Sequence, residues 1–379
     1  MNKIFKVIWN RTTQSLVVVS ELAKGQVKSS SDASAPTVAS RVSKVFKLSA
    51  VALATLGGTG HASAITSAMT QFNGHTGNYL VAAGGGTATG TGSIAIGHDS
   101  SADRGGVAYG RFAKGTAPNS AAYGIATKAL GTKSVAVGSD AVANTEFTVA
   151  VGAGANSTGN SAIATGANSV ANGIGNIATG GGANATGNGA VATGTSSVAN
   201  GNNAVALAAN ANATGAKAIA IGSDSKSLAE STLAIGNNAS ASAYTATALG
   251  TNAAASGQKA IAISAGPNST TATELAAIAI GSDSKALGNS SLAIGDSANA
   301  IQENAIAVGR NSNASNIGAT AIGNNANAAI LATAVGNNTA ASGRGASAFG
   351  TSANATGAQA TAIGFSAKAT NTNTTAIGH

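Results

Sequence analysis

Among the residues after Ile65, ten carboxylates and three histidines (His75, His98 and His379) carry the side chains suited to general acid–base work. Such work needs an acid and a base held side by side, and His98-Asp99 is the only neighbouring pair of that kind. Flanked by Gly and Ser, it reads as a solvated turn. The chain has no cysteine, which excludes disulfides and thiolate metal sites. Gly84-Gly85-Gly86 and Gly90-Thr91-Gly92 echo phosphate-cradling loops, but no helix pattern follows to supply an N-terminus, so they read as a loop before the first repeat. The regular Asp of calcium-binding nonapeptide repeats is missing, and the hexapeptide period of acyltransferase helices does not fit fourteen. No catalytic residue, metal or cofactor is expected.

What must position these scattered groups is a repeat. A small or polar residue, Ile or Val, Ala, Ile or Val, then Gly recurs as in Ser93-Ile94-Ala95-Ile96-Gly97 and Ala218-Ile219-Ala220-Ile221-Gly222. Its closing residue, read as Gly, falls at 97, 110, 124, 138, 152, 166, 180, 194, 208, 222, 236, 250, 264, 281, 295, 309, 323, 336, 350, 364 and 378. Of the 20 intervals, 17 are fourteen residues, two are thirteen and one is seventeen. Self-similarity this strict marks a repeat architecture. With 51 Gly, 8% charged and 3% aromatic residues, the chain cannot fill a conventional core of large side chains.

Each repeat holds a second extended segment, such as Ala183-Asn184-Ala185-Thr186-Gly187. Period-two alternation between Gly and Asn reads as strand, and fourteen residues leave no room for a crossover helix. Stacking each repeat on the last gives an all-β solenoid with parallel pairing between coils. At about 4.8 Å per strand, 21 coils make a rod on the order of 100 Å long.

The residue two before the closing position is Ala in all 21 copies, including Ala95, Ala136, Ala220, Ala279 and Ala293. An unvarying Ala fits a narrow coil interior that one more methylene would overpack. The next residue is aliphatic in fifteen copies, aromatic in three (Tyr109, Tyr123, Phe349) and Thr in three (Thr165, Thr179, Thr193). Neighbours on a strand face opposite ways, so this row faces outward. The inverse assignment, Ile/Val inside and Ala out, would permit a monomer. An outward stripe exceeds what soluble monomers leave exposed, and covering it is worth tens of kcal/mol as an upper bound. Identical rods around a common axis would cover it. Ile96, Val137, Val151, Ile221, Ile235, Ile280, Ile294, Ile322 and Ile363 are the candidate interface residues.

The net charge of +8 does not point to nucleic acid: residues 1 to 64 hold eight Lys/Arg against two Asp/Glu, and the rest hold twelve against ten. Within residues 41–64, Arg41, Lys44 and Lys47 precede an apolar run, Leu48 to Leu56, and a small-residue cleavage motif, Ala62-Ser63-Ala64. Cleavage is expected between Ala64 and Ile65. The run is too short to span a bilayer as a helix. Upstream, Met1-Asn2-Lys3-Ile4-Phe5-Lys6-Val7-Ile8-Trp9-Asn10 and Val17-Val18-Val19-Ser20-Glu21-Leu22-Ala23-Lys24-Gly25 resemble the extended signal peptide region of Gram-negative autotransporters. The resemblance implies Sec-dependent export of a surface protein.

The phrase at 93–100, with Ser134-Val135-Ala136-Val137-Gly138 and Ser291-Leu292-Ala293-Ile294-Gly295, resembles the head motif of trimeric autotransporter adhesins, the YadA-like heads. That resemblance implies a left-handed parallel β-roll, a homotrimer on the outer membrane, and attachment to collagen, fibronectin or laminin or to other cells, with autoaggregation and biofilm formation. It makes Ser93, Ile94, Ser134, Val135, Ser291 and Leu292 candidate adhesive residues. The Asn that often precedes the motif is kept at Asn119 but replaced by Gly92 and Lys133, a departure that bears on collagen recognition. The family's stalk and membrane-barrel segments do not follow His379, so the chain reads as a truncated piece whose only link to a membrane would be a missing C-terminal anchor.

The expected organisation is therefore an extended signal peptide at 1–64 (extended region 1–40, the rest at 41–64), a cap or loop at 65–92, and head repeats at 93–379. Two other readings are an ice-binding solenoid, from the Thr rows Thr165, Thr179, Thr193 and Thr320, Thr333, Thr361, Thr375, and a passive spacer. The block Ala218 to Lys226 recurs at Ala277 to Lys285, which suggests growth by internal copying, with Asp224/Lys226 and Asp283/Lys285 as surface ion pairs. The insertion at Gly266-Pro267-Asn268 is a candidate contact loop.

Overall fold

The computed structural model describes residues 5–10, 15–20 and 81–379. The signal-cleavage residues Ala64 and Ile65 lie outside the described residues. Near the N-terminus, Phe5–Asn10 pairs antiparallel with Ser15–Ser20.

Residues 81–379 form a parallel β-solenoid with two ladders. One holds twenty-two strands, from Val81–Ala83 through Ile94–Ile96 to Thr375–Ile377; the other holds twenty-one shorter strands, from Thr87–Ala88 to Lys368–Ala369. Each strand pairs with its counterparts one coil before and after, as Val135↔Val149 and Val149↔Ile163. The described residues contain no helix.

The fourteen-residue coil is two seven-residue halves of one design. In the coil from Gly152, the first half is Gly152 to Thr158 and the second Gly159 to Thr165. The third residue of each half, Gly154 (φ 66°) and Ser161 (φ 57°), turns the chain in the left-handed region. The fourth and sixth, Ala155 with Ser157 and Ala162 with Ala164, are fully buried, while the residues between them face out. Asn and Asp tolerate the left-handed region better than most residues, which is why so many third positions are Asx, among them Asn119, Asp140, Asn168 and Asp224.

The core is made of the smallest side chains available. Ala95, Ala136, Ala220, Ala279 and Ala293 are fully buried, as are the other Ala of that column up to Ala362. Between them lie Ser and Thr, and the largest fully buried side chain is Asn176. Buried hydroxyls are used locally: Ser169, Ser197 and Ser225 donate to the carbonyls of Gly166, Gly194 and Gly222 three residues back, at 2.9, 2.9 and 2.7 Å. Each such bond closes a turn from inside and lets a polar side chain sit in the core.

Length changes are confined to turns. The seventeen-residue interval bulges where Ser264 Oγ donates to the carbonyl of Gly266 at 2.9 Å, yet Ile261 still pairs with Ile278. Across the thirteen-residue intervals Ile94 pairs with Val107 and Thr320 with Thr333. A strand slip of one residue would turn the core outward, whereas a turn can gain or lose residues at little cost.

Three details differ from the sequence reading. The first coil begins at Val81 rather than Ser93: Val81–Ala83 pairs with Ile94–Ile96 and Thr87–Ala88 with Ser101–Ala102. The glycines around it belong to its turns, and Gly84 has φ 65°. Two closing residues are not Gly: they are Ala208 and Ser264. Ala208 holds φ 117°, a conformation natural to Gly and strained for any residue with a Cβ.

Candidate interaction surfaces

The longer-stranded ladder presents two outward columns along the rod. One contains Ile94, Val107, Val135, Val149, Ile163, Ile219, Ile278 and Ile306; the other contains Ile96, Tyr109, Val137, Val151, Ile221 and Ile294. Of the candidate interface residues, Ile96, Val137, Val151, Ile221, Ile280 and Ile294 are half-buried by their neighbours, and Ile235, Ile322 and Ile363 are exposed. Tyr109 is 57% exposed. The solenoid thus carries an apolar face with no covering chain segment among the described residues.

The adhesive-motif candidates divide by face. Ile94, Val135 and Leu292 sit on the apolar face. Ser93, Ser134 and Ser291 do not reach the surface: their side chains are buried within the coil, and Ser93 Oγ donates to the Gly90 carbonyl at 2.7 Å. The motif's serine is a core residue, because the fourth position of a half-coil points inward. The residue before it is the left-handed turn position, held by Gly92 (φ 74°), Asn119 (φ 55°) and Lys133 (φ 56°). The position calls for a left-handed backbone, which Gly and Asn adopt most readily.

The shorter-stranded ladder faces outward with polar columns. Thr158 Oγ1 donates to Asn172 Oδ1 at 2.7 Å, and Thr186 Oγ1 to Asn200 Oδ1 at 2.8 Å, each across one coil. Exposed apolar residues also occupy turns, where sequence reasoning expects polar ones. They include Ile125, Phe147, Ile174, Tyr244, Leu331 and Phe365. Phe112, Phe147 and Leu331 adopt φ 59°, 58° and 54°. Arg111 lies over the Phe112 ring at 4.5 Å and Lys133 over Phe147 at 5.0 Å.

Charged groups stay at the periphery. His98 Nδ1 lies 2.9 Å from Asp99 Oδ2, with both side chains largely in solvent. Of the two expected ion pairs, Lys285–Asp283 forms at 3.5 Å, while Asp224 accepts from Asn210 Nδ2 at 3.1 Å. Among the described residues no cluster of His, Asp or Glu is arranged to hold a metal.

Known families were compared with this geometry in view. The profile described as the YadA head domain repeat matches residues 88–106, 129–155, an overlapping run from 185 to 263, 272–298, 300–326 and 355–379, more than half of the chain. The chain belongs to the YadA head family. Residues 1–56 match the extended signal peptide of the type V secretion system. No curated protein matches the chain. The YadA head repeats identify it as an adhesin-type trimeric autotransporter passenger, exported toward the surface of a Gram-negative cell, in a family that is non-enzymatic in general. Stretches outside the YadA head matches include those where the outward column departs from Ile and Val, at Tyr109, Tyr123, Thr165, Thr179 and Phe349.

Proposed function

We propose that this chain is the head of a homotrimeric surface adhesin whose apolar faces meet at a common axis and whose turns and polar face contact the target. The observation that carries this reading is the apolar face running along the whole solenoid on one ladder. A face of that extent favours association, and closed symmetry lets every copy cover the same surface. Apolar burial at the axis leaves the polar columns and the exposed turn residues Ile125, Phe147, Ile174 and Tyr244 on the outside. The targets are extracellular-matrix proteins of the collagen, fibronectin or laminin type, or the surfaces of other cells, engaged by many weak contacts along a repetitive rod. Autoaggregation and biofilm formation follow when the target is a neighbouring cell. Interrupted Thr columns favour adhesion over ice binding: Thr165, Thr179 and Thr193 give way to Leu207, and Thr320 and Thr333 are parted from Thr361 and Thr375 by Ser347.

Sedimentation of residues 65–379 fused to a trimeric coiled coil tests the assembly, and binding to immobilised matrix proteins tests the activity. Three-fold rods that loosen on combining Ile221→Asp with Ile235→Asp, and that bind matrix, support the reading. An unfused 65–379 fragment that is a stable monomer indifferent to those changes defeats the assembly, and trimers that bind neither matrix nor cells defeat the adhesive role.

A further inference from the structure

Between residues 142 and 214 the outward surface of the shorter-stranded ladder repeats every two coils. Along one column the residues are Val142, Asn156, Val170, Asn184, Val198 and Asn212, paired in register. Two residues further on, the neighbouring column reads Asn144, Thr158, Asn172, Thr186, Asn200 and Thr214. Every second coil therefore displays the triplet Asn-x-Thr on its outer face, with the middle residue, Ser157, Ala185 or Ala213, buried in the core. A fourth such triplet, Asn354-Ala355-Thr356, lies on the same ladder. Asn-x-Ser/Thr is the acceptor pattern for asparagine-linked sugars on exported proteins.

A second observation singles out the same residues. The side-chain oxygens of Asn156, Asn184, Asn212 and Asn354 are buried without a hydrogen-bond partner. These are the four asparagines of this ladder that open Asn-x-Thr. Each of these four residues is partly exposed as a whole, and the atom to which a sugar attaches is the amide nitrogen beside that oxygen. Asn313, which opens Asn-Ala-Ser on the same ladder, is engaged, donating to Asn327 Oδ1 at 3.0 Å, as is Asn299, which donates to the Ser297 carbonyl at 3.4 Å.

We propose that Asn156, Asn184, Asn212 and Asn354 are sites of N-glycosylation by a nucleotide-activated hexose. In the transfer, the bond from the anomeric carbon to the nucleoside diphosphate breaks and a bond from that carbon to Asn Nδ2 forms. One amide proton passes to a base of the transferase, the nucleoside diphosphate leaves, and nothing is oxidised or reduced. The coil spacing accommodates the product. Sugars on every coil would be crowded at about 5 Å, whereas alternate coils separate the attachment points by about 10 Å. Val170 and Val198 lie between Asn156, Asn184 and Asn212, and Val142 flanks Asn156, as apolar ground for the C–H faces of those three rings. The row of sugars lies on the ladder that does not carry the apolar columns, so it is compatible with the assembly proposed above without depending on it.

The test is glycopeptide mass spectrometry on the full chain taken from its native cell envelope. Hexose on the peptides that hold Asn156, Asn184, Asn212 and Asn354 is the expected result, lost at one site in Asn156→Gln and equally in Thr158→Ala, with sugar kept at the other three. Thr158 is a surface residue, and an unchanged circular dichroism spectrum shows that its replacement leaves the coil intact. Bare asparagine at the four sites overturns the proposal. So does sugar found equally on Asn313 and on the turn residue Asn238, which open Asn-Ala-Ser triplets but whose side chains are held by Asn327 and Asn252.

Discussion

From inside the coil, Asn176 donates its side-chain amide to the carbonyl of Ala185 at 2.7 Å. The same side chain accepts from the backbone N–H of Ala190 at 3.0 Å, so both of its ends bind the following coil. Replacing it with Ala removes two buried hydrogen bonds and leaves a void, at about 1–2 kcal/mol. Asn176→Leu adds overpacking of about 1–3 kcal/mol. Urea unfolding should rank wild type above Asn176→Ala and Asn176→Leu last; an equal midpoint for all three would contradict the role assigned to the side chain.

The interior column allows no growth. Ala220 is fully buried, with Ala206 and Ala234 directly below and above it. Ala220→Leu should destabilise by about 3 kcal/mol or more, because three added heavy atoms have no space and the stacked strands cannot separate singly. Val198→Thr, an outward change in the same region, should stay within about 0.5 kcal/mol. Thermal melts of the pair measure the difference directly.

Closing positions give a reciprocal pair of variants. At Gly222 the backbone has φ 122°, and a Cβ would lie 2.5 Å from the Gly236 carbonyl oxygen. Gly222→Ala should therefore cost about 1–3 kcal/mol. Ala208 already bears that strain at φ 117°, so Ala208→Gly should raise stability by about 1 kcal/mol. A lower melting temperature for Ala208→Gly would mean that the strain is absent.

Thr165, Thr179 and Thr193 interrupt the apolar column over three stacked coils. If that column is covered in a trimer, changing all three to Val should raise the melting temperature of the trimer and slow subunit exchange. In an unassociated rod the same variant would enlarge an exposed patch and lower solubility. Light scattering alongside the melt distinguishes the two outcomes.

Much of this architecture can be read from residue types. The Ala column and the Ile/Val column differ in what they tolerate, one nothing larger than a methyl and the other Tyr and Phe, and that difference marks inside from outside. The coil repeat follows from the spacing because insertions fall in turns, as at Gly266. Ser93 and Ser134 mislead because a serine at a strand start reads as surface, while the turn geometry aims it inward. Asn176 is equally hidden: nothing local separates a buried Asn from the many at corners. Val81 is hidden in the sequence because glycines crowd the first coil. Ile174 and Leu331 break the expectation that corners are polar, and only their exposure shows that they are available to a partner.

The two-coil alternation of Val and Asn along residues 142–214 gives the surface a longer period than the fold beneath it. Adding or removing one coil would leave the core, the turns and the ladders in order. It would nonetheless shift the parity of everything displayed beyond the change, so that the two flanking Asn-bearing sets fall out of phase. Length and surface pattern are therefore under separate constraint: structural integrity counts single coils, and a partner that reads the polar face would detect whether their number is odd or even.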